Sequence, residues 1–170
     1  MITLQLINET IQSNDPSAYT LQKTNFFGEK ENSKVIYSLF EGLFLVETKK
    51  AKLSSNNKEL SIEEIEKKFS KIDKKFETKY AVYKDLRSKG YIPKTALKFG
   101  GEFRVYEKGK GPGKAHAKWI VFTESEKNSN SWHEFTAKNR VAHSTNKKLL
   151  LAIVDDEKDV SYFEVNWMKI

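Results

Sequence analysis

The run KKLLLAIVD, residues 147–155, constrains the fold of this chain more than any other segment. Its apolar stretch LLLAIV has no polar interruption, whereas a strand exposed on one face alternates apolar and polar side chains. The run therefore predicts a strand in the interior of a sheet, with both of its faces covered. Such a strand requires a layered domain of helices packed on a sheet.

The segments before this run predict a helix followed by two strands. ETKYAVYKDLRSKGY, residues 77–91, is typical of a helix that ends at Gly90, with Pro93 as a stop signal soon after it. ALKFGGEFRVYE, residues 96–107, predicts a strand in which Phe103 and Val105 alternate with other residues. HAKWIVFTE predicts a second strand beginning at His116, and a glycine-rich loop joins the two.

A further helix and a last strand complete this half of the chain. Ser131 and Glu134 have the spacing of a capping box, which predicts a helix that runs to about Ala142. VSYFEVNWM, residues 160–168, closes the chain as a strand. The order helix, strand, strand, helix, strand, strand predicts a compact mixed α/β domain over residues 76–170.

The pattern changes near residue 75, and residues 1–75 predict a separate, smaller α/β domain. TLQLI, residues 3–7, alternates like a strand, and a turn follows at Asn14-Asp15-Pro16. SKVIYSLFEGLFLVETKKAKL, residues 33–53, carries apolar residues at helical spacing, which predicts one long helix capped by Ser33. Ser61 and Glu64 have capping-box spacing and open a second helix.

The composition of the chain limits the kinds of binding partner and the cellular compartment that we expect. The formal net charge is +7, which favours a polyanion such as nucleic acid, or next an anionic membrane surface. The absence of cysteine excludes disulfides, thiolate metal sites and cysteine nucleophiles. No apolar run approaches the roughly 20 residues that cross a bilayer, and the first residues do not resemble a signal peptide. We expect a cytoplasmic protein.

The sequence argues against three interpretations of its polar motifs: a zinc site, a phosphate loop and a metal-dependent DNA nuclease. The histidines lack the short spacing of a zinc site. The loop GKGPGK, residues 109–114, joins two predicted strands, so it fits a hairpin tip better than a phosphate loop, which opens a helix. Glu47 and Lys49 have the Glu-x-Lys spacing of metal-dependent DNA nucleases, with Asp15 upstream, but Glu47 ends a helix-like stretch rather than a strand.

A fourth set of residues fits one reaction type. The hairpin around the glycine loop brings Tyr106 and His116 to the same end of a sheet, and Lys147 begins the apolar strand. A phenol, an imidazole and an ammonium group without metal ligands suit RNA cleavage by the substrate's own 2′-hydroxyl, which requires a base, an acid and a charge stabiliser.

These segments resemble a known family. GYIPKTALKFGGEFRVYEKG, AHAKWIVF and RVAHSTNKKLLLAIVDDEKDVSYFEV are similar, in order and spacing, to the catalytic domain of archaeal tRNA-intron splicing endonucleases, from about Tyr80 to Trp167. The apolar segment VIYSLFEGLFLVETKKAKL resembles the N-terminal domain of that family. The resemblance implies an α+β fold, in which a small N-terminal mixed α/β domain precedes a catalytic domain with a mixed sheet flanked by helices.

The resemblance also implies a role for each matching residue. Tyr106 would be the general base for the 2′-hydroxyl, His116 the general acid for the 5′-oxygen, and Lys147 the stabiliser of the charged phosphorane. The implied products are a 2′,3′-cyclic phosphate and a 5′-hydroxyl, formed without metal or other cofactor.

The implied substrate is a bulge-helix-bulge in precursor tRNA, where unpaired nucleotides leave a helix. Arg140 matches a family arginine that stacks on a bulge base, while Tyr162 and Trp167 are candidates for a second clamp that match no arginine. The loop lysines are suited to the RNA backbone; they are Lys108, Lys110 and Lys114.

Family members form assemblies with two active sites, so the resemblance implies a tetramer. The tetramer contains either a second, non-catalytic subunit or four copies of this chain. The long basic loop slightly favours the assembly with a second subunit. The acidic turn DDEKD resembles the loop that docks on an opposing subunit; its acidic residues are Asp155, Asp156, Glu157 and Asp159. An ordinary hairpin turn is the alternative for this segment. The alternative for the whole chain is a non-catalytic RNA-binding or structural subunit of the same assembly.

Overall fold

The chain folds into two compact units of mixed α and β structure. A computed structural model describes all residues from 1 to 170, and its units are Met1–Glu77 and Thr78–Ile170. Each unit contains one mixed sheet together with helices, so the predicted α+β class is confirmed. No helix is long and apolar enough to cross a membrane.

The first unit is built on a six-stranded sheet. The strands are β1 (Ile2–Ile7), β2 (Thr10–Ser13), β3 (Glu29–Glu31), β4 (Lys34–Tyr37), β5 (Ala51–Ser55) and β6 (Lys58–Glu59). Their order is β3-β4-β2-β1-β5-β6, and β1 and β5 are the one parallel pair. The helices are α1 (Pro16–Asn25), α2 (Leu39–Glu47) and α3 (Ile62–Ile72).

The single long helix predicted for residues 33–53 is wrong. The segment forms β4, then α2, then β5. The helix starts late because the Ser38 side chain accepts the N–H of Glu41 and the Glu41 carboxylate accepts the N–H of Ser38, a complete capping box. It ends before Lys49, which adopts a left-handed φ of 56°. The apolar residues at positions 35, 39 and 43 have helical spacing although the first of them lies in a strand. This spacing led to the prediction of one helix without a cap at Ser38.

Other local signals in the first unit have mixed outcomes. The capping box of Ser61 and Glu64 is confirmed as the start of α3. The sequence did not predict α1, although Asp15 caps it by accepting the N–H of Ser17, and Pro16 occupies its first turn. The expected turn at residues 14–16 is the beginning of this helix.

The second unit is built on a five-stranded sheet. Its elements are α4 (Phe76–Ser88), β7 (Ile92–Thr95), a short 3₁₀ turn (Leu97–Phe99), β8 (Phe103–Tyr106), β9 (Trp119–Ser125), α5 (Trp132–Ser144), β10 (Lys148–Val154) and β11 (Val160–Val165). The strand order is β11-β10-β9-β8-β7, and only β9 and β10 are parallel. The helix α4 begins two residues before the unit boundary.

Helices cover both faces of this sheet. On one face Ile120 and Leu149 pack against Ala142 of α5. On the other face Phe103 contacts Tyr83 of α4, with ring centroids 5.9 Å apart. The strand β10 lies between β9 and β11, and its buried residues lie on both faces, as the run KKLLLAIVD predicted.

Most local predictions for this unit are confirmed, but the strand predicted for residues 96–107 is limited to Phe103–Tyr106, because Leu97–Phe99 form a 3₁₀ turn. Ser131 and Glu134 form a complete capping box, and β8 and β9 form the expected hairpin. However, β9 begins at Trp119, so the prediction that His116 begins the strand is wrong. The strand β7 was not predicted, because Pro93 indicated a helix stop; Pro93 instead lies within β7 and pairs with Val105 on the edge of the sheet.

Candidate active site at the ends of three strands

The sheet topology brings three strand ends together. The strand β8 is antiparallel to β9, and β9 is parallel to β10, so the end of β8 meets the beginnings of β9 and β10. Two backbone hydrogen bonds join them, because the N–H of Lys118 donates to Val105 at 2.9 Å and the N–H of Lys148 donates to Lys118 at 3.0 Å. Tyr106, His116 and Lys147 each lie within two residues of this row.

Tyr106 is the last residue of β8 and is buried, with 5% of its surface exposed. It pairs with Ile92 of β7, and alternation places its side chain on the face that α5 covers, where Ile120 also lies. Because β8 is held between two neighbouring strands, the backbone of Tyr106 is fixed by the sheet.

Lys147 occupies the position just before β10 and is half-buried. Its N–H donates to the carbonyl of Ala142 at 2.9 Å, which ties it to the last turn of α5. Its Nζ donates to the carbonyl of Thr145 at 3.1 Å and lies 5.4 Å from the centroid of the Phe99 ring. The ammonium group is therefore held near the same edge of the sheet by a carbonyl and an aromatic face.

His116 lies in the loop between β8 and β9 and is exposed. The loop is a hairpin tip, as predicted, and Gly109 and Gly113 have φ angles of 71° and 81°, which favour glycine. A Cβ on either glycine would meet no atom within 4 Å, so the loop tip is open. The imidazole therefore extends from a solvent-facing segment, two residues before the row that holds Lys118.

The loop lysines have different surroundings. Lys110 donates to the Glu107 carboxylate at 2.8 Å, and Lys118 donates to its other oxygen at 3.3 Å. These bonds, Lys110 first, lower the pKa of Glu107 below its usual value. The Nζ of Lys108 lies over the ring of Tyr91, 5.2 Å from its centroid. Lys114 is exposed and donates its N–H to the Gly111 carbonyl. RNA contacts by these lysines stay a prediction.

Arg140 is exposed on α5. Of the two candidates for a second clamp, Tyr162 donates its hydroxyl to the carboxylate of Asp85 at 2.7 Å. Burial first, and then this bond, raise the pKa of the phenol. The Trp167 ring contacts the His143 ring at a tilt of 34°, with ring centroids 4.4 Å apart.

The acidic turn connects β10 and β11. The Asp155 carboxylate accepts the N–H groups of Glu157 and Asp159, both at 2.9 Å, and so builds the turn itself. Asp156 forms an ion pair with Lys127 at 2.7 Å. Glu157 and Asp159 are exposed. Subunit docking by this turn is likewise still a prediction.

The three residues that suggested a metal-dependent DNA nuclease lie at helix ends and in a turn, where they serve the fold. Asp15 caps α1 through its carboxylate, and Glu47 is the last residue of α2 rather than a strand residue. Lys49 lies in the left-handed turn after that helix. No group of three or more histidines, aspartates and glutamates is arranged to hold a metal ion.

Sequence reasoning missed a polar and aromatic cluster beside these strand ends. The Glu164 carboxylate accepts the indole N–H of Trp119 at 2.7 Å and the Nζ of Lys148 at 2.9 Å. These two bonds, Trp119 first, lower the pKa of Glu164. The Tyr91 ring lies 5.8 Å from that of Trp119. Alternation in the last strand is a signal from which the face of Glu164 can be found, but only the register of β10 and β11 brings this residue to Trp119.

The excess positive charge belongs entirely to the second unit. Residues 1–77 contain 12 lysines and arginines and 12 aspartates and glutamates, whereas residues 78–170 contain 18 and 11. All three histidines also lie in residues 78–170. A polyanion is therefore attracted to the unit that contains the strand-end residues.

Two protein-family models match the chain, one within the first unit and the other almost wholly within the second. The tRNA intron endonuclease N-terminal domain matches residues 3–66. The tRNA intron endonuclease catalytic C-terminal domain matches residues 76–162, which include the ends of β8, β9 and β10.

The chain is also similar to archaeal proteins named tRNA-splicing endonuclease. It is 39% identical over 170 residues to that of Thermococcus kodakarensis, which covers 99% of each chain. It is 42% identical over 149 residues to that of Thermococcus onnurineus, covering 88% of this chain and 85% of the other. It is 43% identical over 137 residues to that of Nanoarchaeum equitans, covering 77% and 88%.

Proposed function

The chain belongs to the tRNA intron endonuclease family, and we propose that it is a tRNA-splicing endonuclease that cuts precursor tRNA at bulge-helix-bulge junctions without a metal ion. Residues 76–170 form the catalytic domain in this proposal, and residues 1–75 form the N-terminal domain. The observation that supports it is the strand register, which joins the end of β8, beside Tyr106, to the beginnings of β9 and β10, within two residues of His116 and Lys147.

The reaction is an attack within the RNA. The phenolate of Tyr106 takes the proton of the 2′-hydroxyl, and the 2′-oxygen forms a bond to the adjacent phosphorus. The bond from phosphorus to the 5′-oxygen breaks, and His116 in its protonated form gives that oxygen a proton. The products are a 2′,3′-cyclic phosphate and a 5′-hydroxyl, so no water is consumed in the cut.

Lys147 stabilises the negative charge that develops on the phosphoryl oxygens during this attack. Its position supports the role, because the Thr145 carbonyl and the Phe99 ring hold the ammonium group without neutralising it as a carboxylate would. Its backbone is fixed by the bond from its N–H to Ala142. A cation placed in advance has less reorganisation to undergo when the charge appears.

RNA recognition in this proposal uses the basic second unit. Arg140 stacks its planar guanidinium on a bulge base, and its exposure on α5 supports this role. The loop lysines approach the phosphates, and the open tip between Gly109 and Gly113 leaves room for the RNA backbone.

The proposal includes an assembly with two active sites, because two cuts release one intron and each chain supplies one set of strand-end residues; we take the assembly to be the tetramer that the family resemblance implies. Glu157 and Asp159, exposed on the β10–β11 turn, are the carboxylates available for docking on another subunit. The second subunit is either another copy or a non-catalytic partner. The competing function, a non-catalytic subunit, gives no reason for a tyrosine, a histidine and a lysine to lie within two residues of the backbone row that joins β8, β9 and β10.

The test is cleavage of an end-labelled precursor tRNA in EDTA by the full chain, compared with His116→Ala and the matched control His133→Ala. His133 is also exposed but lies in the first turn of α5, away from the three strand ends. We expect two cuts by the wild type and the control, and a rate at least about 100-fold lower for His116→Ala. Equal rates for the two variants, or a requirement for magnesium, would refute the mechanism.

A further inference from the structure

Tyr91 and Trp119 lie side by side across the end of β8. Trp119 pairs with Val105, and Tyr91 precedes Ile92, which pairs with Tyr106. The register therefore places both aromatic residues on the sheet face opposite the Tyr106 side chain. Their ring centroids are 5.8 Å apart and the ring planes are nearly perpendicular, at 79°. Both side chains are only half-buried.

A lysine lies over each ring. The Nζ of Lys108 is 5.2 Å from the centroid of Tyr91, and that of Lys118 is 4.6 Å from the ring of Trp119. Both lysines are exposed and belong to the loop that also carries His116. Aromatic rings next to lysines suit single-stranded nucleic acids, because bases stack on the rings once the flexible lysine side chains swing aside, and phosphates bind the cations.

Polar contacts hold the indole in one orientation. The indole N–H donates to Glu164 at 2.7 Å, and the same carboxylate accepts from Lys148 at 2.9 Å. The contacts join β9, β10 and β11 at their ends. A half-buried tryptophan that is fixed by its nitrogen keeps its ring available to a ligand without losing further rotamer freedom on binding.

We propose that Tyr91 and Trp119, with the flexible side chains of Lys108 and Lys118 over their rings in the free protein, form a stacking platform for unpaired nucleotides that flank the scissile phosphate. This inference rests on the proposed function, since it takes the substrate to be RNA. It adds a second contact to the RNA, because Arg140 lies on α5, on the opposite side of the sheet.

The platform gives the bulge strand a defined path. The scissile phosphate lies at the edge near Tyr106 and Lys147, and the next nucleotides pass over the end of β8 to the rings of Tyr91 and Trp119. A paired duplex cannot follow this path, because its bases are stacked on one another rather than exposed to a protein ring. The platform therefore selects for unpaired nucleotides at the cleavage site.

The test measures binding alone, with 2′-deoxy nucleotides at the cleavage positions so that the RNA stays intact. Fluorescence anisotropy gives Kd for this bulged RNA and for a fully paired duplex of the same length. The variants are Tyr91→Leu and Trp119→Leu, with Trp119→Phe retaining a ring. The matched control is Trp132→Leu, which removes a tryptophan that is 83% exposed at the start of α5.

We expect each leucine variant to raise Kd for the bulged RNA about tenfold and Kd for the duplex less than twofold. Trp119→Phe and Trp132→Leu should bind the bulged RNA nearly as well as the wild type. A 2-aminopurine at the unpaired position should be quenched by the wild type and not by Trp119→Leu. If Trp119→Leu fails to fold, Tyr91→Leu decides the question, because Tyr91 donates no side-chain bond to the sheet.

Two results would overturn the platform: leucine variants that bind the bulged RNA as tightly as Trp132→Leu, or an equal loss of affinity for bulged and paired RNA. Either result leaves the proposed function intact if the wild type still cleaves an unmodified substrate. A wild-type chain that binds bulged RNA no better than duplex refutes the proposed function itself, and the platform with it.

Discussion

At the residue scale, Tyr106 allows chemistry to be separated from binding. Its ring is buried at the end of β8, so Tyr106→Phe keeps the packing and removes only the hydroxyl. We expect kcat to fall by at least about 100-fold, with RNA affinity within about twofold of the wild type. Single-turnover cleavage and anisotropy measure the two quantities. Tyr19→Phe in α1 is the control, and an equal fall in that variant would refute the role of Tyr106.

Glu164 gives a prediction for pH. Its bonds to Trp119 and Lys148 lower its folded pKa below the ordinary value of 4.5. The carboxylate therefore stabilises the fold above that value, and the contribution disappears as pH falls through the folded pKa. Glu164→Gln should lower Tm at pH 7. The loss in the free energy of unfolding should be less than about 1 kcal/mol, because the ion pair of Glu164 and Lys148 is exposed. The difference should shrink as the pH falls below 4.5 and disappear once the carboxyl group is protonated in the folded protein.

The control for this pH series is Glu157→Gln, a substitution on the exposed β10–β11 turn. It should leave Tm unchanged at pH 7. A Tm difference between Glu164→Gln and the wild type that stayed the same from pH 7 to pH 3 would contradict the ionic origin of the stabilisation.

The sequence carried most of the residue-scale information about the candidate site, but not all of it. Tyr106 and His116 flank a hairpin that was recognisable in the sequence and is confirmed by the pairing of β8 and β9; that the two side chains act together stays a prediction. The contact of Glu164 with Trp119 spans 45 residues and two strand pairings. No local pattern determines the register of two strands that are joined through a third, so this contact required the structure.

At the element scale, the capping boxes were the most reliable signals. Ser131 and Glu134 bond reciprocally at the start of α5, the helix that leads to Lys147. Ser131→Ala should destabilise the protein by about 1 kcal/mol, measured by urea unfolding. Ser129→Ala, two residues earlier and exposed, should have no measurable effect. Equal effects of the two substitutions would mean that the cap does not stabilise the helix.

Helical periodicity gave a wrong prediction at β4 and α2, because this strand and this helix are both apolar and are separated only by Ser38. Val35 and Tyr37 are buried at period two in β4, while Leu39 and Leu43 repeat at the helical interval in α2. Joined together, these positions imitate one continuous helix. The boundary is set by the Ser38 cap, a short polar signal that the apolar residues on both sides obscured.

At the scale of the whole molecule, charge distinguishes the two units. The first has no net charge by count, and the second carries the full excess of +7. Replacing the loop lysines Lys108, Lys110 and Lys114 with glutamine should reduce the slope of log K against log salt by about 0.7 for each phosphate that the loop no longer neutralises. A titration of RNA affinity over a range of salt concentrations, from about 50 to about 200 mM, measures this slope.

The matched control replaces three exposed lysines of α3, Lys67, Lys68 and Lys71, with the same change in net charge. We expect the control to keep the wild-type slope. If both triple variants reduced the slope equally, the loop would contribute only to the general charge and would make no specific RNA contact.

The central claim is that the substrate's own 2′-hydroxyl is the nucleophile, activated by residues at three strand ends. The most direct measurement uses a bulge-helix-bulge RNA with a single 2′-deoxy nucleotide on the 5′ side of one cleavage position, in EDTA. Mass spectrometry should find a 2′,3′-cyclic phosphate and a 5′-hydroxyl at the unmodified position and no cut at the modified one. Cleavage at the deoxy position, or products with a 5′-phosphate, would contradict the mechanism.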